Sequence, residues 1–182
     1  MLGVAEREQL PVADARAGDA DAWAALFQRY RLPLYVYVFE LVRDEQTSLD
    51  LVQETFLNAF RHRGSLRDDE KFGSWLFGIA HQKCIQAWRR RDREAEFGEQ
   101  VELPASDDTP DELLIREEQE EEFMKLLEKL PVAQRSAILL HYVEEFSLEE
   151  IARITGANTG TVKSRLHYAK RALRKLLEED EK

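Results

Sequence analysis

Residues 147–166 contain the pattern that most restricts how this chain can fold: two helices joined by a tight glycine turn. Ser147 stands where its hydroxyl can cap the first helix, and Glu150 can complete a capping box three residues later. Gly156 follows the last apolar position, where a left-handed backbone ends a helix at little cost. Asn158 is placed to cap the next helix. The pattern predicts a helix-turn-helix.

The second helix of this pair has two chemically distinct faces. Apolar residues recur at helical spacing on the face that turns toward a core: Val162, Leu166, Ala169, Leu173 and Leu176. Polar and basic residues occupy the outer face: Lys163, Ser164, Arg165, His167, Lys170 and Arg171. A basic helix presented in this way can enter the major groove of DNA. An ordinary helical hairpin with a solvated basic face shows the same pattern, so both interpretations stay open here.

The charge of the chain is unevenly distributed. The 182 residues carry a formal net charge of −10, which by itself argues against DNA binding because DNA repels acidic proteins. Divided into blocks, residues 1–95 carry −1, residues 96–122 carry −11 and residues 123–182 carry +2. One short segment therefore holds the excess negative charge, and the blocks on either side are close to neutral.

That acidic segment is predicted to be a flexible linker. It contains Pro104 and Pro110 among small and acidic residues, and it has too few apolar residues to form a core of its own. Residues 98–116 are therefore expected to join two small domains. A solvated tether is the simpler interpretation, and a segment that lies in the basic channel of a partner is the alternative.

The composition excludes several classes of protein. A single cysteine permits no internal disulfide and fits a reducing compartment. No apolar run reaches the roughly 20 residues of a membrane span, and residues 1–10 lack the pattern of a secretory signal. These observations predict a cytoplasmic location and no direct insertion into a membrane.

The N-terminal block is predicted to be mostly helical. Asp19 is placed to cap a first helix, and Pro33 stands where a second could start. Residues 34–39 alternate and are rich in strand formers, so local propensity predicts a strand there. Thr47 or Ser48 is expected to cap the next helix.

That next helix is expected to carry a separate ridge beside its core face. The predicted core face consists of Leu49, Val52, Phe56, Ala59 and Phe60. The ridge is mostly acidic and consists of Asp50, Gln53, Glu54 and Leu57. A further helix passes through Trp75 and Trp88, both expected in the core, into the arginine run at residues 89–91. The fold class predicted for the chain is all-α, with two small helical domains.

A metal site has weak support in the sequence. His81 and Cys84 lie on one helix face, but a zinc site needs about four ligands and no further cysteine is available. Cys84 is expected to be a small buried residue. We find no nucleophile motif or phosphate loop, so we expect no catalytic residue, no metal and no cofactor.

The motifs together resemble a known family. The runs at residues 50–57, 72–80 and 89–91 resemble region 2 of bacterial sigma factors, and those at 130–135, 147–152 and 160–166 resemble region 4. No third structured region lies between them, which is similar to the extracytoplasmic-function (ECF) sigma factors of the sigma-70 family. The resemblance implies an N-terminal tail (1–13), region 2 (14–97), the acidic linker (98–116), region 4 (117–178) and a C-terminal tail (179–182).

The resemblance also implies partners and site residues. Core RNA polymerase would bind through its beta-prime clamp and beta flap, with the clamp on Asp50, Gln53, Glu54 and Leu57. Region 2 would bind and melt the minus-10 promoter element through Arg63, Ser65, Leu66, Lys71, Lys83, Gln86, Arg89 and Arg90. Region 4 would read the minus-35 element of promoter DNA through Lys163, Ser164, Arg165, His167, Lys170 and Arg171. An anti-sigma factor would restrain the protein.

Three departures from the family pattern qualify this interpretation. Family members often carry Glu, Asn and Asp where this chain has Leu49, Gln82 and Gln86, which puts the clamp contact and the promoter preference in question. Two alternatives stay open on sequence alone: a stand-alone helix-turn-helix transcriptional regulator and an adaptor that binds only proteins.

Overall fold

The computed structural model describes residues 10–97 and 123–180. In this part of the chain all regular structure is helical, which confirms the predicted all-α fold class. The α-helices are α1 (Val12–Ala17), α2 (Ala20–Val42), α3 (Glu45–Arg61), α4 (Phe72–Phe97), α5 (123–128), α6 (Val132–Ile138), α7 (Leu148–Thr155) and α8 (Thr159–Asp180). None of these helices is long and apolar enough to cross a membrane. Residues 1–9 of the expected N-terminal tail (1–13) and the whole acidic linker at 98–116 lie outside the described residues.

The strand predicted at residues 34–39 is wrong, because α2 passes through this segment without interruption. Its buried side chains follow one helix face: Leu34, Tyr37, Val38 and Leu41. Pro33 lies inside the same helix instead of at a helix start. The buried face packs against α3, α4 and α6, and this tertiary packing outweighs the local preference for a strand.

The N-cap predicted for α2 is confirmed, whereas the N-cap predicted for α3 is wrong. The Asp19 carboxylate accepts a hydrogen bond from the Ala22 N–H at 2.7 Å and caps α2, as predicted. The prediction for α3 is wrong, because its N-cap is Asp44, whose carboxylate accepts from the Thr47 N–H at 2.7 Å. The Ser48 hydroxyl donates to the Asp44 carbonyl at 2.6 Å inside the first turn. Asp44 is preferred because its extended backbone aims the carboxylate at the free N–H groups.

The helix-turn-helix has the predicted local geometry. Ser147 and Glu150 form the capping box of α7, and Gly156 ends that helix with φ of +65°. The Asn158 side chain accepts from the Thr161 N–H at 2.7 Å at the start of α8. On α8 the core face is confirmed: three of its residues are buried and two are half-buried, in the order Val162, Leu166, Ala169, Leu173 and Leu176.

The two halves of the chain share one apolar core. α4 packs against α7, and α2 packs against α6. The Phe77 ring of α4 contacts the Phe146 ring, which precedes α7, with centroids 5.3 Å apart and nearly perpendicular planes. Leu139 and Leu140, in the π-helical turn Leu139–Val143 that follows α6, are buried in the same core. The N-terminal and C-terminal helices therefore form a single packed body.

Candidate nucleic-acid and polymerase interfaces

Most of the residues predicted to contact the minus-35 element lie on the open face of α8. Five of the six are exposed: Lys163, Ser164, His167, Lys170 and Arg171. Arg165 is half-buried, and its charge is close enough to α4 to add to the effect of burial in lowering the pKa of His81. The Lys170 ammonium lies 5.0 Å from the centre of the Tyr142 ring, a cation–π contact that orients the side chain. The helix presents a basic surface, with one cation turned toward the N-terminal half.

The acidic ridge of α3 is fully accessible. All four of its predicted residues are exposed: Asp50, Gln53, Glu54 and Leu57. Glu54 accepts a hydrogen bond at 2.8 Å from Lys83, a residue that the sequence assigned to the minus-10 surface. Because Glu54 is exposed, this ion pair contributes little to stability and can exchange for a partner's cation.

Two residues expected in the core of α3 lie at its surface instead. Leu49 is 48% exposed and Phe60 is 43% exposed, whereas the other three members of the predicted face are buried. Both line an apolar groove of about 850 Å³ between α2 and α3, together with Trp23, Phe27, Leu32 and Tyr35. Exposed apolar surface next to a charged ridge is typical of a protein-docking site.

The loop between α3 and α4 contains two 3₁₀ turns, Arg63–Ser65 and Asp69–Lys71. Ser65 is exposed, and the half-buried Arg63 guanidinium stacks over the Phe60 ring at 4.6 Å from its centre. Leu66, predicted to act as a wedge on an unpaired base, is buried in this conformation, and its carbonyl accepts from Arg16 at 3.3 Å. The loop is therefore held against the body of the protein.

A cleft of about 610 Å³ brings the predicted minus-10 residues together. Its walls include Ser65, Leu66, Lys71, Lys83 and Gln86, which come from the loop and from α4. Arg89 and Arg90 follow on α4 and are exposed. Arg153 and Ile154 of α7 also line the cleft. Lys71 forms an ion pair at 3.2 Å with Glu150 of α7.

The two tryptophans and the cysteine of α4 belong to the core or to its edge. Trp75 and Trp88 pack at the edge of the core and are half-buried, and Trp75 also lines the cleft. Cys84 is buried, as predicted, and burial raises the pKa of its thiol to about 12. Within residues 10–97 and 123–180, no three histidine, cysteine or acidic side chains are grouped as a metal site would require.

Two ionisable groups between the halves have strongly shifted pKa values. Burial, with a smaller effect of Arg165, lowers the pKa of His81 to about 4, so the imidazole is neutral at pH 7. Burial raises the pKa of Glu144 to about 7, and Arg29 opposes that shift in part. Burial raises the pKa of Tyr30 on α2, and the charge of Glu144, which follows the π-helical turn, adds to that shift.

Sequence analysis missed a polar cluster that joins α2 and α4 to α6. The Tyr37 hydroxyl lies 2.8 Å from His81 Nδ1 and 2.8 Å from the Ser136 hydroxyl, and all three residues are buried. Arg135 donates to the carbonyl of Glu40 at 2.5 Å. A tyrosine among apolar residues gives no sequence signal of a partner 99 residues away, so only the tertiary structure identifies this cluster.

Comparisons with known proteins agree with this arrangement. Residues 26–94 match the family model "Sigma-70 region 2", and residues 120–173 match "Sigma-70, region 4". The chain is 30% identical to the RNA polymerase sigma-H factor of Pseudomonas aeruginosa over 95% of both chains. It is 29% identical to the ECF RNA polymerase sigma factor BldN of Streptomyces coelicolor over 91% of its own length, and it spans 64% of that protein.

A solved structure shows the same fold. The sigma factor RpoE of Bartonella quintana, crystallised with the anti-sigma factor NepR, superposes with a TM-score of 0.71 and 29% identity. The match covers 84% of this chain and 96% of the RpoE chain. Both halves of the chain, in the order region 2 then region 4, are thus accounted for, and the chain belongs to the sigma-70 family, as a sigma factor of its extracytoplasmic-function group.

Proposed function

We propose that this chain binds core RNA polymerase and directs promoter-specific initiation, with residues 14–97 acting as region 2 and residues 117–178 as region 4. The observation that carries the proposal is the presence, on one chain of this family, of an exposed acidic ridge on α3 and an exposed basic recognition helix, α8. The first surface suits a basic protein partner, and the second suits DNA.

The ridge binds the beta-prime clamp in this proposal. Asp50 and Glu54 supply negative charge, Gln53 supplies an amide, and Leu57 supplies apolar area, all on open surface. Complementary charges accelerate encounter and fix the register of the two surfaces. The apolar groove beside the ridge adds surface that loses water on docking.

The loop and α4 bind the minus-10 element. Lys71, Lys83, Arg89 and Arg90 are cations that can neutralise phosphates of the melted strand. Ser65 and Gln86 provide polar groups for an extruded base, and Leu66 provides an apolar wedge once it is uncovered. Extrusion of a base costs a few kcal/mol, which these contacts would have to recover.

Region 4 binds the minus-35 element through α8 and docks on the beta flap. We assign Arg165 to a base edge, because the guanidinium fork matches guanine in the major groove. We assign Lys163, Lys170 and Arg171 to phosphates, with Ser164 and His167 as neighbouring polar contacts. The protein acts by binding, and catalysis belongs to the polymerase.

An anti-sigma factor restrains the protein in our proposal, which places both in the cytoplasm. The support is the related RpoE structure, which contains the anti-sigma factor NepR. On this chain the apolar groove between α2 and α3 leaves Leu32 65% exposed and is a suitable docking surface for an apolar helix face.

Run-off transcription tests the proposed function. Purified chain and core polymerase are incubated with fragmented genomic DNA, and the transcripts are sequenced. We expect discrete start sites preceded by shared minus-35 and minus-10 elements, and no start sites with polymerase alone. A stand-alone regulator would instead bind specific DNA tightly without polymerase, which a gel-shift titration of the free chain would reveal.

A further inference from the structure

The π-helical turn Leu139–Val143 leaves a large aromatic side chain at the surface of region 4. Tyr142 is 48% exposed, whereas Leu139 and Leu140 of the same turn are buried. The Glu144 N–H donates to the Leu139 carbonyl at 3.1 Å, which is the wider hydrogen bond of a π-helix. Single π-helical turns occur frequently at functional sites. Packing in the core therefore does not account for the position of Tyr142.

The Tyr142 ring lies between an anchored histidine and a lysine of the recognition helix. The His141 ring donates through its Nδ1–H to the Phe146 carbonyl at 3.1 Å, so the backbone fixes the imidazole. The His141 and Tyr142 rings are in edge contact, with centroids 4.7 Å apart and planes at 74°. The Lys170 ammonium lies 5.0 Å from the centre of the Tyr142 ring. The ring is thus held by its neighbour in the turn, and its π system attracts the cation on α8.

Lys170 belongs to a row of cations along one edge of α8. Lys163 precedes it by seven residues and Arg174 follows it by four, and these spacings bring all three to the same side of a helix. All three side chains are exposed. When a helix lies in the major groove, phosphate rows border it on both sides, and cations at its edges are placed to meet them. The ring of Tyr142 therefore touches the edge of α8 at a cation suited to a phosphate.

We infer that Tyr142 is a positioning residue for minus-35 binding: its ring holds the Lys170 ammonium at the edge of α8, where the ammonium meets a DNA phosphate. A lysine that is already held loses less rotamer freedom when it binds a phosphate, so the contact prepares the helix for DNA. An ammonium has three N–H donors, and those that point away from the ring remain available to phosphate oxygens. This inference rests on the proposed function.

The first test removes the ring in the full chain, assembled with core polymerase. Kd is measured at several salt concentrations for a promoter fragment recovered by run-off transcription. We expect Tyr142→Leu to raise Kd by about threefold, the size of one exposed cation–π contact, and to lower the salt slope by less than the roughly one unit of a full phosphate contact. Tyr142→Phe keeps the ring and should bind like the wild type. Val143→Ala, at the exposed neighbouring residue, is the matched control and should also bind normally.

The second test asks whether Tyr142 acts through Lys170. In a Lys170→Ala background, Tyr142→Leu should have no further effect on Kd, because the ring then has no ammonium to hold. In a Lys163→Ala background the threefold effect should remain. Lys163 is seven residues, about 10 Å, from Lys170 along the helix, and effects at that separation usually add. A merely structural role of Tyr142 would give the same threefold effect in both backgrounds.

The results separate this inference from the proposed function. Equal binding by Tyr142→Leu and the wild type would overturn the inference, as would an equal loss of binding in Tyr142→Phe, which retains the ring. Tighter binding by Tyr142→Leu would also overturn it, because the ring would then compete with DNA for the ammonium. Failure of the wild-type chain to yield any promoter fragment in run-off transcription would instead contradict the proposed function.

Discussion

The ridge of α3 and the cleft lined by the α3–α4 loop and α4 are neighbouring surfaces of region 2 that differ in their contacts with region 4. Asp50 and Glu54 are exposed, and Glu54 pairs with Lys83 of the same region, whereas Leu66 is buried and Lys71 pairs with a carboxylate from region 4. Both surfaces were expected from sequence to be contact sites. The difference shows that a local motif identifies the residues of a site, while the packing of a helix distant in sequence decides which of them are already paired.

The largest expected effect concerns the open surface. Asp50→Arg combined with Glu54→Arg should abolish association with core polymerase, because it reverses the charge that faces a basic partner. Both residues are exposed, so circular dichroism should show an unchanged fold. Co-purification with core polymerase is the measurement.

The matched control for this prediction is Asp14→Arg combined with Asp21→Arg, an equal change of charge at exposed positions on α1 and α2. This control should bind polymerase normally. Normal binding by the ridge variant would show that the ridge is only a solvated surface, and loss of binding by both variants would show that only the total charge matters.

How far the sequence predicted the structure depends on the range of the interactions involved. The helix-turn-helix was predicted to the residue, because Ser147, Gly156 and Asn158 act within a few positions of themselves. The strand at residues 34–39 was wrong, because its side chains are buried by helices distant in sequence. The N-cap at Asp44 was missed because Thr47 and Ser48 follow closely in the sequence, and a hydroxyl side chain is also a suitable N-cap.

The candidate site follows the same rule. The residues of the ridge and of the α8 face were found from helical spacing, those of the minus-10 surface were assigned from the family resemblance, and all four residues of the ridge are exposed. The contact between Tyr37 and Ser136 depends on the association of the two halves, and the burial of Leu66 depends on how the loop packs against the body of the protein. No local pattern encodes that association, so the contribution of α7 to the lining of the cleft could not be predicted.

A smaller effect is expected on the recognition helix, which is open except at Arg165. Arg165→Ala should cost about 1–3 kcal/mol and relax the preference at one minus-35 position, if this side chain reads a base edge. Lys170→Ala should weaken binding about evenly across sequences and lower the salt slope by roughly one unit. Holoenzyme binding to a library of minus-35 variants at several salt concentrations is the measurement. The same behaviour in both variants would contradict the division into base reader and phosphate contact.

The contact between the halves should also respond to pH through Glu144, which faces Arg29 and Tyr30. Burial raises the pKa of Glu144 to about 7, so the stability that the protonated group contributes is fully present below its ordinary pKa of 4.5 and is lost as pH rises from there through 7. Glu144→Gln should therefore stabilise the chain at pH 8, by about 1–2 kcal/mol, and flatten this dependence.

Urea unfolding between pH 6.5 and pH 9 measures this effect, and the exposed neighbour provides the control variant Glu145→Gln. The window starts at pH 6.5 because buried His81, with its pKa lowered to about 4, destabilises the fold as pH falls from its ordinary 6.5 toward 4. Equal pH dependence in Glu144→Gln and the unaltered chain would show that Glu144 is not desolvated by the contact.

The smallest effect is expected from the acidic segment, whose charge of −11 over residues 96–122 is a property of the sequence. A tether needs no such charge, so a neutral Gly/Ser segment of equal length should serve as well if the segment only joins two domains. If the segment lies in a basic channel of the polymerase, neutralising its acidic residues should weaken core binding. The segment would then also compete less strongly with the growing RNA for that channel. The acids to neutralise are Glu99, Glu102, Asp107, Asp108 and Asp111. We expect a changed ratio of abortive to full-length transcripts with little change in promoter choice, and an unchanged ratio in vitro would identify the segment as a solvated tether.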